Sequence, residues 1–297
     1  MSTLLLLLPD LSLILAGYLL YRHTNWGDTF WVGLEKLVYY VLFPALLFHA
    51  IVRNRIDPAA AAPFVLGVLV VVAVGIALGH LGRLVVPVES RRFASAVQCA
   101  FRFNSYVALA LSQRLGGEAG LALCAIVVAI AVPVCNIAAV WGLARHSEHG
   151  LVRELLRNPL LLATLAGLAG NLLGLELPDP VSAFLGRLGA AALALGLIAV
   201  GAGLRTSGAA GDRPFAVYAT LVKLVAMPLA ALLVGAALGL PPLARQVLVL
   251  FGAMPTASAA YILANRMGGD GAYVAWLITL STLGSVLALP FWLSWVR

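Results

Sequence analysis

Residues 251–269 read FGAMPTASAAYILANRMGG, an apolar stretch with a proline near its middle. Pro255 removes one backbone donor and crowds the carbonyl of Phe251, so a helix here should kink or unwind. Thr256 and Ser258 can re-satisfy the freed groups, and Ala257, Ala259 and Ala260 are small enough to admit a neighbouring helix. An ordinary proline kink with no binding role is the plainer reading of the same residues.

Outward from this stretch, the whole chain is apolar. Of 297 residues, 62% are hydrophobic and 10% charged, and the mean hydropathy is +1.02, where soluble domains carry about 25% charge. Runs near the roughly 20 residues that cross a bilayer fall at about 3–22, 34–52, 61–80, 93–113, 120–143, 159–175, 184–204, 215–239, 244–265 and 272–296. They lack the alternation of outer-membrane barrel strands, and helices satisfy their own backbone groups in lipid. The expected fold is therefore an all-α membrane protein of ten transmembrane helices. The first run has no basic stretch before it and no small-x-small site after it, which makes it a retained span rather than a signal peptide.

The net charge of +7 comes from basic residues scattered through short loops, so no nucleic-acid partner is expected and the lipid bilayer accounts for it. More arginines fall in the odd-numbered loops, which favours both termini outside a plasma (inner) membrane. Cys99, Cys124 and Cys135 lie inside spans without paired spacing and read as apolar filler.

The most polar connection, ARHSEHGLVRELLRNP at 144–159, divides the chain into 1–145, a central polar loop at 146–157, and 158–297. QRLGGEAG at 113–120 matches NRMGGDGA at 265–272, and Arg53 matches Arg205 at the same offset of 152 residues. If each half holds five helices, an odd number, the second half must enter the membrane the other way round. Inverted repeats of that kind are a plan of secondary transporters, with the substrate near the midplane.

The same offset places Thr256 on Asn104, in CAFRFNSYVALALSQRLGG of span 4. Arg102 and Asn104 are costly inside a bilayer and usually face a cavity or a partner; the alternative for Arg102 is to snorkel to an interface. In span 5, Pro133 is a second candidate helix break, and Asn136 one turn later is a candidate polar contact or a helix-packing amide. Asp10, after Pro9, is the candidate for a coupling proton, or else caps a helix that starts late. His49 and His80 read as satisfied or interfacial histidines, and Lys223 as snorkelling or pairing at an interface.

No HExxH, GxSxG, Walker loop or paired acidic cluster occurs; HSEHG at 146–150 is not a zincin motif. Neither an enzyme nor a metal or other cofactor is expected. GGDG at 268–271 reads as a turn.

LEKLVYYVLFPALLFHAI at 34–51, NSYVALALSQRLGG at 104–117, VPVCNIAAV at 132–140, RNPLLLATLAGLAGN at 157–171 and MPTASAAYILANRMGGDGAYVAWLITLSTLGSVLALPFWL at 254–293 resemble the auxin efflux carrier family. That family includes plant auxin carriers and bacterial permeases described as malate or other carboxylate transporters. The resemblance covers nearly the whole chain. It implies two inverted five-helix repeats, similar to bile acid symporters and sodium/proton antiporters, with broken spans 4 and 9 crossing at the substrate site. The family's span 4 asparagine falls on Asn104, and its Met-Pro-Thr on Met254, Pro255 and Thr256. The chain departs from it at Leu109 and Leu111, where the family has glycine and proline, and at Ala194, where a proline is common.

The expected function is a secondary carrier of a small organic anion working by alternating access. Asn104, Ser105, Thr256, Ser258 and Asn136 are the candidate contacts, Arg102 adds charge, and Pro255 holds the break. A cation-coupled symporter or antiporter is the alternative within transport, weakened by the scarcity of midplane Asp and Glu. A membrane-embedded enzyme would need clustered acids or histidines that are missing. A homodimer is left open.

Overall fold

In a computed structural model, residues 3–53, 58–143, 159–204, 213–257 and 259–296 are described. Among them every regular element is helical. Stretches long and apolar enough to cross a membrane are Gly27–Arg53, Ala61–Val85, Ser90–Ala139, Asp179–Ala202, Arg213–Ala237 and Gly271–Ser294, with shorter apolar helices at Leu162–Leu172 and Pro242–Ala253.

The chain forms two compact units, 1–62 with 106–129 and 152–203, and 63–105 with 130–151 and 204–297. This division runs across the sequence halves, because each unit draws segments from both.

The first unit holds α1 (Thr3–His23), α2 (Gly27–Leu37), a π turn (Val38–Leu42), α3 (Phe43–Arg53), α7 (Pro159–Leu172) and α8 (Asp179–Ala202). Asp10 lies inside α1, which runs from Thr3. A side chain on Gly17 would strike the carbonyl of Ile198, and one on Gly201 the carbonyl of Ile14. These glycines let α1 and α8 pack backbone to backbone, the usual device where lipid removes the hydrophobic drive between helices. His49 shares a hydrogen bond with Ser182 Oγ at 2.9 Å, a satisfied histidine. Near the start of α2, Trp26, Phe30 and Trp31 stack edge on or tilted, a grouping suited to a membrane–water boundary.

In the second unit lie most of α4 (Pro58–Val85), α5 (Ser90–Ala96), a 3₁₀ turn (Val97–Ala100), α9 (Arg213–Leu221), a π turn (Val222–Ala226), α10 (Met227–Ala237), α11 (Pro242–Ala253), α12 (Ala259–Arg266) and α13 (Gly271–Ser294). Each π turn ends two residues before a proline, Pro44 or Pro228. Proline at that position frees the carbonyl four residues earlier. For Pro228 this is Leu224, and Trp292 Nε1–H donates to its oxygen at 2.8 Å. The histidine on α4, His80, bonds the Ile76 carbonyl.

A long helical stretch, α6 (Ser105–Leu143), belongs to both units in turn. Its non-helical backbone lies at Gly116 and Gly117, and φ of +55° at Gly117 is a conformation open to glycine. The break expected at Pro133 does not occur, and the helix runs through it. One lost donor is tolerated there because the bonds of the flanking turns remain. The three cysteines are buried and unbridged.

Candidate functional site

Two helix interruptions in the second unit build the site. At the first, the chain leaves α5 through the 3₁₀ turn, runs non-helically over 101–104, and resumes at Ser105. No proline marks this break, so the missing family proline at position 111 is not needed to open it. Asn104 sits just before α6, where asparagine is among the favoured capping residues.

At the second, α11 ends at Ala253 and Met254 is extended, with φ of −62° and ψ of 143°. A following proline imposes this geometry by disfavouring the helical region for the residue before it. Residues 254–257 are non-helical and α12 starts at Ala259. Ser258 lies outside the described residues.

These interruptions meet through hydrogen bonds. The Asn104 amide donates to the Pro255 carbonyl at 2.8 Å. Thr256 Oγ1 donates to the Cys99 carbonyl at 2.8 Å, and the Thr256 amide to Ser281 Oγ of α13 at 3.1 Å. Asn104 and Thr256 are 2% and 1% exposed, so these groups have exchanged water for one another. Buried backbone that leaves its helix must find such partners.

Arg102 is buried as well, at 8% exposure, which sets aside the snorkelling alternative. Its guanidinium donates through Nη1 to Gln98 Oε1 at 2.8 Å and through Nη2 to Asn136 Oδ1 at 2.6 Å. Both of these partners are neutral amides. Gln98 in turn donates to the carbonyls of Ser95 and Ala260, at 2.9 and 3.3 Å. It thereby joins the first break to α12. Asn136 is therefore an acceptor for Arg102, and Ser105 is half-buried at the start of α6. Asp10 belongs to the other unit.

Sequence reasoning missed Gln98 and Ser281. The signal for Gln98 is a polar amide four residues before Arg102 in an otherwise apolar stretch. For Ser281 it is the run ITLSTLGS, whose hydroxyls at Thr279, Ser281, Thr282 and Ser285 all donate to carbonyls of their own helix.

The loop after α12 is tied to α5. Arg92 Nε contacts Asp270 Oδ2 at 3.1 Å, Arg91 Nε donates to the Gly268 carbonyl, and Asp270 Oδ1 caps α13 by accepting from the Tyr273 amide. The turn expected at GGDG is present, with Gly268 at φ of +70°.

Among the described residues no three of His, Cys, Asp and Glu gather as metal ligands. What the breaks offer is amides, hydroxyls and a guanidinium. Membrane-spanning length and apolar composition define a multi-pass membrane protein, two of whose helices are interrupted at this site. The chain belongs to the family described as membrane transport protein, which matches residues 4–293 and is the auxin efflux carrier family expected from the sequence. It is 28% identical to "Uncharacterized transporter YfdV" of Escherichia coli (strain K12), over 97% of this chain and 95% of that one. It is 27% identical to "Putative malonate transporter" of Rhizobium meliloti (strain 1021), over 98% and 95%.

Proposed function

We propose that the protein is a secondary carrier of a small organic anion, a carboxylate of the malonate or malate type, working by alternating access. The observation that carries this reading is the hydrogen bond from the Asn104 amide to the Pro255 carbonyl, which ties two interrupted helices together beside a buried guanidinium. Each helix restart, at Ser105 and Ala259, exposes amides with about half a positive charge. Two such ends with Arg102 between polar partners favour an oxyanion over a cation. The name of the Rhizobium relative, a putative malonate transporter, gives that protein a small dicarboxylate as substrate, which is an anion of this kind.

On this reading, ten helices form two inverted repeats, 1–145 and 158–297, joined by the polar loop at 146–157 in an inner membrane with both ends outside. Asn104, Ser105, Thr256, Ser258 and Asn136 supply hydrogen bonds, Arg102 supplies charge, and Pro255 keeps its helix open. Uptake of labelled malonate and malate into proteoliposomes, with and without a proton gradient, tests the reading. Asn104→Ala should lower uptake by at least about tenfold in protein that inserts normally, the scale of one or two lost hydrogen bonds to a charged ligand. Undiminished uptake by this variant would refute the site.

A further inference from the structure

Lys223 sits in the π turn Val222–Ala226 and is completely buried, 0% exposed. The interfacial role expected from the sequence is thus corrected: the side chain turns inward instead of snorkelling. Its Nζ donates to the Gly252 carbonyl at 3.2 Å and to Met227 Sδ at 3.4 Å, and lies 5.8 Å from the centre of the Phe251 ring.

Gly252 is the last residue but one of α11. In an unbroken helix its carbonyl would accept from the amide four residues on, that of Thr256. That amide instead donates to Ser281 Oγ. The break therefore leaves the Gly252 oxygen to the lysine, at a helix end carrying about half a negative charge. Glycine at 252 is what allows the approach, since a Cβ there would lie 2.8 Å from Pro228 Cα and 2.9 Å from the Met227 carbonyl oxygen. The π turn that carries Lys223 lies immediately before Met227 and Pro228, the residues that face Gly252.

No carboxylate among the described residues lies within ion-pair distance of Lys223. The titratable groups on elements packed around it are Cys135, with which it interacts electrostatically, Cys99, Tyr218 and Tyr273; the other charges are Arg102, which acts on the same Cys135, Arg213 and Arg245. A buried charge without a counter-ion is expensive, and the partners found for it here are the Gly252 carbonyl at the helix end, Met227 Sδ and the Phe251 ring.

We propose that the Lys223 ammonium is a tethered cation of the carrier. It fills, at the broken end of α11, the position where a carrier with interrupted helices would hold a coupling metal ion, and so makes anion binding independent of sodium. This inference rests on the transport reading.

The full chain in proteoliposomes tests it, with malonate as the probe. Wild-type uptake should be unchanged when choline replaces sodium. Lys223→Ala should lose at least about tenfold, as expected for removing a charge at a buried helix end, and regain several-fold with methylammonium or sodium. Lys223→Arg should retain most of the uptake. A sodium requirement in the wild type, or full uptake by Lys223→Ala, overturns the proposal. Should Lys223→Ala fail to insert, the wild-type sodium comparison and Lys223→Arg still decide it.

If the wild type moves no carboxylate at all, the transport reading fails, and the tethered cation is then read from melting in detergent. Methylammonium should raise the Tm of Lys223→Ala and leave that of the wild type alone. Equal melting of variant and wild type, insensitive to methylammonium, overturns it.

Discussion

The amide of Asn104 and the carbonyl of Pro255, 151 positions apart in the chain, are joined by a hydrogen bond of 2.8 Å. Neither group could make it from within a continuous helix. Pro255 matters here for the bond it exposes as much as for the donor it lacks, because it holds Met254 extended and turns its own carbonyl out of the helix.

Replacing Pro255 separates these effects. Pro255→Ala restores an amide and a good helix former, whereas Pro255→Gly restores the amide but disfavours helix by about 1 kcal/mol relative to Ala. Both should insert. Uptake in proteoliposomes should fall further in the alanine variant than in the glycine variant; the reverse order would mean that the break does not depend on helix propensity at this position.

Gln98 is the hinge between Arg102 and α12. Gln98→Leu takes away the Arg102 Nη1 acceptor and leaves the Ala260 carbonyl without its side-chain donor. Loss of hydrogen bonding to a buried charged group should cost about 1.5–3 kcal/mol, seen as a lower Tm in detergent. Gln98→Glu, which keeps an acceptor and adds a negative charge beside the guanidinium, should fold but bind carboxylates more weakly, and a tighter-binding Glu variant would contradict an anion site.

Trp292 supplies the donor that the π turn requires. In Trp292→Phe an aromatic ring remains but the Leu224 carbonyl loses its partner, a buried unsatisfied acceptor worth about 1–3 kcal/mol. Thermal melting should drop accordingly. Trp292→Phe melting like the wild type would show that this carbonyl finds another donor.

Asp270 combines a cap and an ion pair, and the two can be told apart. Arg92 and Asp270 keep 30% and 26% of their side-chain surface exposed, so Asp270→Asn, which retains a capping oxygen, should cost less than about 1 kcal/mol. Asp270→Ala also loses the bond from the Tyr273 amide and should cost about 1 kcal/mol more. Equal losses would assign the whole effect to the ion pair. Raising the salt concentration should reduce the Asn effect and leave the additional Ala loss.

The helical, membrane-spanning nature of the chain was legible from composition alone, since apolar runs of that length admit few other structures. The break at Pro255 was legible for a local reason: one residue forces its own geometry and that of Met254. At 101–104 no local rule applies. The break there is held by partners distant in sequence, Pro255 and Thr256, and the sequence shows only that RFNS is too polar for an ordinary span. Pro133 misled in the opposite direction, because a proline states that a donor is missing but not whether the surrounding turns hold. Lys223 misled because side-chain length permits an interface, while its direction is set by the π turn and by Gly252 across from it. The internal match between 113–120 and 265–272 drew attention to the Asn104 and Thr256 regions, and residues of these two regions are hydrogen-bonded to one another.

The buried state of Cys99, Cys124 and Cys135 gives the chain a further use. Thiols shielded in this way react poorly with membrane-impermeant maleimides, so the natural sequence already serves as a silent background for labelling. Single cysteines placed in the connecting loops could then be scored for sidedness in intact cells without first stripping residues from the protein, and the orientation of each end would follow from reactivity alone.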